Sequence, residues 1–409
     1  MTPLKSPQPS TVLPLLLSHF TATSCIGLGL QQTLAALRAR RSGLKPCNFE
    51  HADLATWVGA VDGVDDEVLR GDLSAYDCRN NRLAQLGFRQ DNFAEAVGAA
   101  VARIGSHRIG VFIGTSTSGI LQTELAYRRL DPETGALPPN FVYDATHNSF
   151  SISRFVRDYF GLQGPAASVS SACSSSAKVF ASAKRMMQAG LIDAAIVGGV
   201  DSLCLTTLYG FNSLDLLSSS PCRPFDVARK GISIGEGAAF FLLERAPGNL
   251  DADAVLLYGV GESSDAHHMS APHPDGLGAA MAMRQALQAA GLKPSDIDYI
   301  NLHGTATPSN DTAEGKAVAA VFGENTIPCS STKGATGHAL GAAGGLEAVI
   351  SALALRHGLM PGGVHTDQRD STIPVNYLLD SREQAVSRVL SNSFGFGGTN
   401  CSLIFGRAG

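Results

Sequence analysis

One thiol and two imidazoles stand where this sequence can do chemistry. Cys173 lies in Gly164-Pro165-Ala166-Ala167-Ser168-Val169-Ser170-Ser171-Ala172-Cys173-Ser174-Ser175-Ser176-Ala177, where a strand-like run gives way to a helical pattern. Small neighbours leave room for a bulky acyl group at the sulfur, and free N–H groups at a helix start favour thiolate over thiol. A lone cysteine is more often a small buried hydrophobe, so a nucleophile needs partners. His303 in His303-Gly304-Thr305-Ala306-Thr307 and His338 in Thr336-Gly337-His338-Ala339-Leu340-Gly341 are the candidates. A neutral imidazole donates through one ring nitrogen, so a pair can hold a developing enolate oxygen between them. Lys333, five residues before His338, adds fixed positive charge to the same loop.

Other chemistries fall away on spacing. The eight cysteines include no CxxC pair, and the histidines show no HxH or HExxH, so a zinc site is not expected. Gly27-Leu28-Gly29 lacks the third glycine of a dinucleotide fingerprint, and Gly395-Phe396-Gly397-Gly398 lacks the GK[ST] of a phosphate loop. Lys plus Arg is 31 and Asp plus Glu 36, giving a net charge of −5 with no like-charge block, which argues against nucleic acid as a partner. Charged residues are 16% of the chain, against about 25% in typical domains. A chain so poor in charge is expected to hide part of its surface in an oligomer. The 44 glycines recur with Ser and Thr and read as tight turns. No stretch approaches the ~20 apolar residues of a membrane span. The run Val12-Leu13-Pro14-Leu15-Leu16-Leu17 reads as a first strand after a loose tail at 1–10, not as a secretory signal, so a cytoplasmic location is expected.

Elements that could position these residues alternate as in an α/β protein with buried parallel strands. Strands are expected at 108–114, at 194–197 ending in Gly198-Gly199, at 298–302 delivering His303 to the strand end, and from 254. Helices are expected from Ser174 to Ala189, capped by Gly190, and from Leu340 to His357, stopping at Gly358. Each half thus holds a strand, a Ser/Gly-rich turn and a long Ala-rich helix. With about 150 residues per domain, Ala246-Pro247-Gly248-Asn249 is the best boundary, separating 11–250, with the nucleophile, from 251–409, with both histidines.

These segments together resemble the elongating β-ketoacyl-acyl carrier protein synthases, condensing enzymes of the thiolase superfamily. The resemblance runs from about residue 20 to the end, through Cys173, His303, Lys333 with His338, and Asn392 to Asn400. It also takes in Arg223-Pro224-Phe225-Asp226, Gly235-Glu236-Gly237-Ala238 and Asp265-Ala266-His267-His268-Met269. It implies a thiolase-like α/β fold of two pseudo-repeated halves in five α-β-α-β-α layers. It implies decarboxylative Claisen condensation of a malonyl group with an acyl group held on Cys173, with His303 and His338 on the malonyl thioester oxygen. Lys333 is expected to tune the His338 region, the N–H groups of Cys173 and Phe396 to hold the oxyanion, and Phe394 and Phe396 to gate the site. Thr305 and Thr307 match positions that bind a phosphopantetheine arm, with Phe211 and Thr117 near the acyl tunnel wall. Asp311 and Glu314 match loop-ordering acids. Glu347 shares a helix stripe with small and apolar residues, so its carboxylate needs a partner. With Asn301, Ser391 and Asn392 it matches the surround of a structural monovalent cation, the other readings being a hydrogen-bond network or a pair with Lys333.

No catalytic metal or bound cofactor is implied, the phosphopantetheine arm arriving on the acyl carrier protein. The implied assembly is a two-fold homodimer, or a heterodimer with a chain-length-factor-like subunit. Arg38, Arg40, Arg41 and Lys45, or Arg128 and Arg129, are candidate charges for docking an acidic carrier. Thr115-Ser116-Thr117-Ser118 replaces a glycine-rich tunnel segment, and Ala52 to Arg89 departs from the housekeeping enzymes. Fatty acid elongation and a secondary pathway to polyketide or aryl-polyene chains therefore both stay open. The alternative function is a thioester-binding, non-condensing partner subunit of a heterodimeric ketosynthase.

Overall fold

The computed structural model describes residues 14–408; the expected frayed tail and residue 11, the expected start of the first half, lie outside them. In chain order the first half contributes β1 (Leu15–Ser24), α1 (Arg79–Phe88), β2 (Ile109–Gly114), α2 (Ser151–Tyr159), β3 (Ala166–Val169), α3 (Ser175–Gln188), β4 (Ala194–Asp201) and β5 (Gly237–Arg245). The second half contributes β6 (Val255–Ser264), α4 (Leu277–Ala290), β7 (Tyr299–Asn301), α5 (Pro308–Phe322), β8 (Pro328–Ser330), α6 (Ala343–His357), β9 (Asn376–Tyr377), β10 (Arg388–Gly395) and β11 (Thr399–Arg407).

The half-sheets share one plan. The first runs β3-β2-β4-β5-β1 and the second β9-β8-β7-β10-β11-β6. Strands β3, β2 and β4 are mutually parallel, as are β8, β7 and β10, and in each half the next two strands follow antiparallel. The halves are stitched edge to edge, because β1 pairs with β6 at Leu15–Leu257 and Leu16–Leu256.

Helices α3 and α6 form the middle layer. α6 is buried on every face from Ala343 to Leu355, as a helix between two sheets must be. Phe180 of α3 packs edge-on against Phe241 of β5 at 5.1 Å and Phe405 of β11 at 5.9 Å, joining both sheets in one core. Outside, Phe88 of α1 packs between Phe240 of β5 and Phe155 of α2, while Met283 and Ala286 of α4 share a core cluster with Ile300 and Leu390. The result is the five-layered thiolase-like fold.

The glycines depart from expectation. β4 does not end at Gly198-Gly199 but continues to Asp201. A Cβ on Gly199 would lie 2.5 Å from that of Ser176, and one on Gly261 would lie 2.0 Å from the Ala282 carbonyl. These glycines are strand residues that let helices approach the sheet, a requirement local pattern does not reveal.

Candidate active site

The two middle-layer helices bring the chemistry together. Cys173 sits two residues before α3, on a turn where Ala172 has φ +51°. His338 lies in the turn before α6, its N–H held by the Ser233 carbonyl. His303 leaves the C-terminal end of β7. Cys173 Sγ and His338 Nε2 are 3.0 Å apart, and single ligand atoms of Cys173, His303 and His338 all lie within 4.8 Å of one another. The imidazoles meet edge to face, with centroids at 5.3 Å.

Lys333 shares the His338 loop but reaches His303 instead. Its Nζ donates to His303 Nδ1 at 3.2 Å and to the His303 carbonyl, and pairs with Glu347. The lysine therefore fixes the His303 proton on Nε2, facing the cleft. Burial pushes both histidines well below the usual 6.5, and the Lys333 charge lowers each further, so both are neutral donors at neutral pH. Burial also overrides the helix start at the nucleophile: the Cys173 thiol is pushed up to about 11, with Lys333 and the Phe396 N–H acting in the opposite sense.

A cleft opens onto the three residues. Thr305 and Thr307 line it with their hydroxyls 2.9 Å apart, and Thr307 also caps α5. Phe211 and Phe396 face each other across it at 5.5 Å, with Phe394 alongside. Leu216, Ile232 and Ser270 to Pro272 are also among the lining residues; sequence reasoning missed them because their own segments show no pattern that marks a cleft wall. Thr117 is not part of the lining. Its hydroxyl is spent on Asp201 at 2.8 Å.

Buried carboxylates order the loops. Glu314 accepts the N–H groups of His303 and Gly304 at 2.8 and 2.7 Å, and burial raises it to about 7. Asp311 accepts the N–H groups of Phe225 and Ala306, both at positive φ. Glu347 is held through Oε1 by Lys333, and burial raises it to about 7 while that charge pulls back. Its Oε2, Asn301 Oδ1 and Ser391 Oγ are buried oxygens without partners, a hard donor set that fits a monovalent cation. The Asn392 side chain is not in this set, being engaged by Glu314 and Ser402. Of the docking candidates, Arg38, Arg40 and Lys45 pair with Glu383, Asp380 and Asp62, which leaves Arg41, Arg128 and Arg129 with no ion pair among the described residues, Arg129 donating to the Leu125 carbonyl.

Comparison with known proteins agrees with this geometry. Residues 24–248 match the β-ketoacyl synthase N-terminal domain and residues 254–367 its C-terminal domain. The chain is 33% identical over 400 residues to 3-oxoacyl-[acyl-carrier-protein] synthase 2 of Coxiella burnetii, covering 94% of this chain and 96% of the relative. It is 39% identical over 316 residues to the mitochondrial 3-oxoacyl-[acyl-carrier-protein] synthase of Arabidopsis thaliana, covering 73% and 68%. Among solved structures it is similar to a ketosynthase in complex with its chain length factor from Xenorhabdus doucetiae, with TM-score 0.88, 38% identity and coverage of 99% and 100%. It is also similar to the ishigamide ketosynthase/chain length factor, with TM-score 0.87, 28% identity and coverage of 97% and 100%. With both domains matched in order around a Cys–His–His cluster in a thiolase-like fold, the chain belongs to the β-ketoacyl synthase family and is a condensing acyltransferase.

Proposed function

We propose that Cys173, His303 and His338 run a two-stage condensation on carrier-bound thioesters. The observation that carries this is the convergence of a thiol and two neutral imidazoles on one cleft, with Cys173 Sγ 3.0 Å from His338 Nε2. In the first stage the Cys173 sulfur, hydrogen-bonded by His338 Nε2–H, attacks the acyl thioester carbonyl while its own proton passes to the departing carrier sulfur. The oxyanion rests on the Phe396 and Cys173 N–H groups, the carrier thiol leaves with the proton, and the acyl group stays on the sulfur. Acylation frees His338 Nε2–H from the sulfur. In the second stage a malonyl thioester places its carbonyl oxygen between His303 Nε2–H and His338 Nε2–H. Its C–CO2 bond breaks and CO2 departs, the enolate carbon bonds to the acyl carbonyl carbon, and the Cys173 sulfur leaves as a thiolate that takes a proton from solvent. The β-ketoacyl product remains on the carrier.

Thr305 and Thr307 would bind the phosphopantetheine arm of an acyl carrier protein, and Phe394, Phe396 and Phe211 would gate and line the acyl channel. Asn301, Glu347 and Ser391 would hold a structural monovalent cation, which supplies charge balance beside Lys333. The nucleophile unit is 11–250 and the histidine unit 251–409. The protein works as a two-fold pair, with a second copy or a chain-length-factor-like subunit. Relatives of fatty acid and polyketide type both support chain elongation, and the intact triad disfavours the non-condensing reading.

The test is intact-protein mass spectrometry after incubation with a panel of acyl carrier proteins, then with malonyl carrier protein. An acyl adduct that is absent in Cys173→Ala and discharged as a β-ketoacyl product is the expected result. Absence of any adduct across the panel, with a chain-length-factor partner also supplied, refutes the reading.

A further inference from the structure

Asp201, at the end of β4, is completely buried, and what offsets its burial is N–H and O–H donors. Its Oδ1 accepts from Thr115 Oγ1 at 2.7 Å, the Ser116 and Thr117 N–H groups at 2.8 Å, and Thr117 Oγ1 at 2.8 Å. Its Oδ2 accepts the Gly341 N–H at 2.5 Å. These donors come from opposite halves of the molecule, and one on each side, Ser116 and Gly341, leads to a catalytic turn.

Ser116 Oγ donates in turn to the carbonyl of Ala172, the residue before Cys173. Gly341 lies three residues after His338, in the turn that opens α6. Both catalytic turns hold unfavourable backbone, with Ala172 at φ +51° and Leu340 at φ +49°, and Ser118 in the clamped loop is at φ +44°. Non-glycine residues persist in such conformations only where their surroundings fix them. The fit is close: a Cβ on Gly341 would lie 2.8 Å from Asp201 Oδ2 and 2.7 Å from Ser116 Oγ.

We propose that Asp201 is a positioning residue that clamps the Cys173 turn of one half against the His338 turn of the other and so sets the Sγ–Nε2 separation. The inference rests on the acyl-transfer reading above. Asp201 touches no substrate; it acts through Ser116 and Gly341. A carboxylate suits the position because every group facing it is a donor. In Asp201→Asn one oxygen becomes an NH2 group pointed at N–H groups, and the clamp opens on one side.

The experiment measures acyl loading of Cys173 against carrier concentration in wild type and D201N, with thermal unfolding of each. The expected result is a kcat lower by about 10- to 100-fold with KM within about twofold, at a temperature where both proteins are folded. A purely structural role would instead leave kcat of the folded variant unchanged. D201N loading at the wild-type kcat overturns the inference while the acyl-transfer reading stands; wild type that does not load overturns both. Should D201N not fold, Ser116→Ala decides, because it keeps the carboxylate and all its donors but removes the link to Ala172. A kcat loss of about 3- to 10-fold there supports the clamp, and a wild-type kcat overturns it.

Discussion

Lys333 and Glu347 are a buried ion pair whose cation also holds His303. Removing one member of such a pair strands the other charge, at a cost of about 3–5 kcal/mol. Lys333→Met is therefore expected to lower stability by that order, read by denaturant unfolding, and to slow malonyl decarboxylation by at least about tenfold as His303 loses its fixed tautomer. The double variant Lys333→Met with Glu347→Leu should recover the stability but not the rate, which separates the two roles. The histidines give a second prediction. Because their folded-state pKa values are depressed well below 6.5, protonation sets in only as pH falls under that value. Malonyl decarboxylation by Cys173→Ala should stay level from about pH 8 down through 6.5, with its acid limb below. An acid limb at or above 6.5 would show that burial does not depress the histidines, and activity that falls as pH rises through this range would show that one imidazole works as a cation.

At the scale of elements, the register between α3 and α6 decides whether the catalytic turns meet. Gly345 N–H donates to Ser176 Oγ at 2.8 Å, and a Cβ on Gly344 would lie 2.9 Å from that of Ala177 and 2.7 Å from Ser393 Oγ. Forcing a side chain into this contact overpacks the middle layer, at about 1–3 kcal/mol. Gly344→Val should lower the unfolding midpoint accordingly. It should also reduce Cys173 acylation in the folded protein, measured by adduct mass, because the helix starts are pushed apart.

For the whole molecule, the outer edge of β3 has no strand partner among the described residues. Tyr127, Leu130, Leu137, Val142 and Tyr143 are exposed apolar side chains on the segment between β2 and α2. Unpaired edges and clustered apolar surface are what a partner chain covers. Light scattering should give a two-chain particle, near twice the 42.6 kDa chain for a homodimer; a single-chain mass in the presence of a chain-length-factor partner would rule out the paired assembly. No helix among the described residues is long and apolar enough to cross a membrane.

The sequence by itself determined the chemical groups and the elements that carry them. Cys173 at a helix start, His303 at a strand end, and the buried faces of α3 and α6 follow from residue type and period, which are local properties. The family could be read there because its motifs are contiguous. What the tertiary structure decided is which groups share a volume. Lys333 is five residues from His338, yet its long side chain crosses to His303, where the Glu347 carboxylate and the His303 carbonyl compensate its buried charge. The Thr117 hydroxyl is taken up by Asp201, and Gly198-Gly199 turned from an expected turn to a strand beneath a helix. The thiol's ionisation also belongs to this level, since the helix start that favours thiolate is visible in sequence while the burial that overrides it is not. Desolvation, and which polar groups remain to offset it, depend on what the rest of the chain places within a few ångströms.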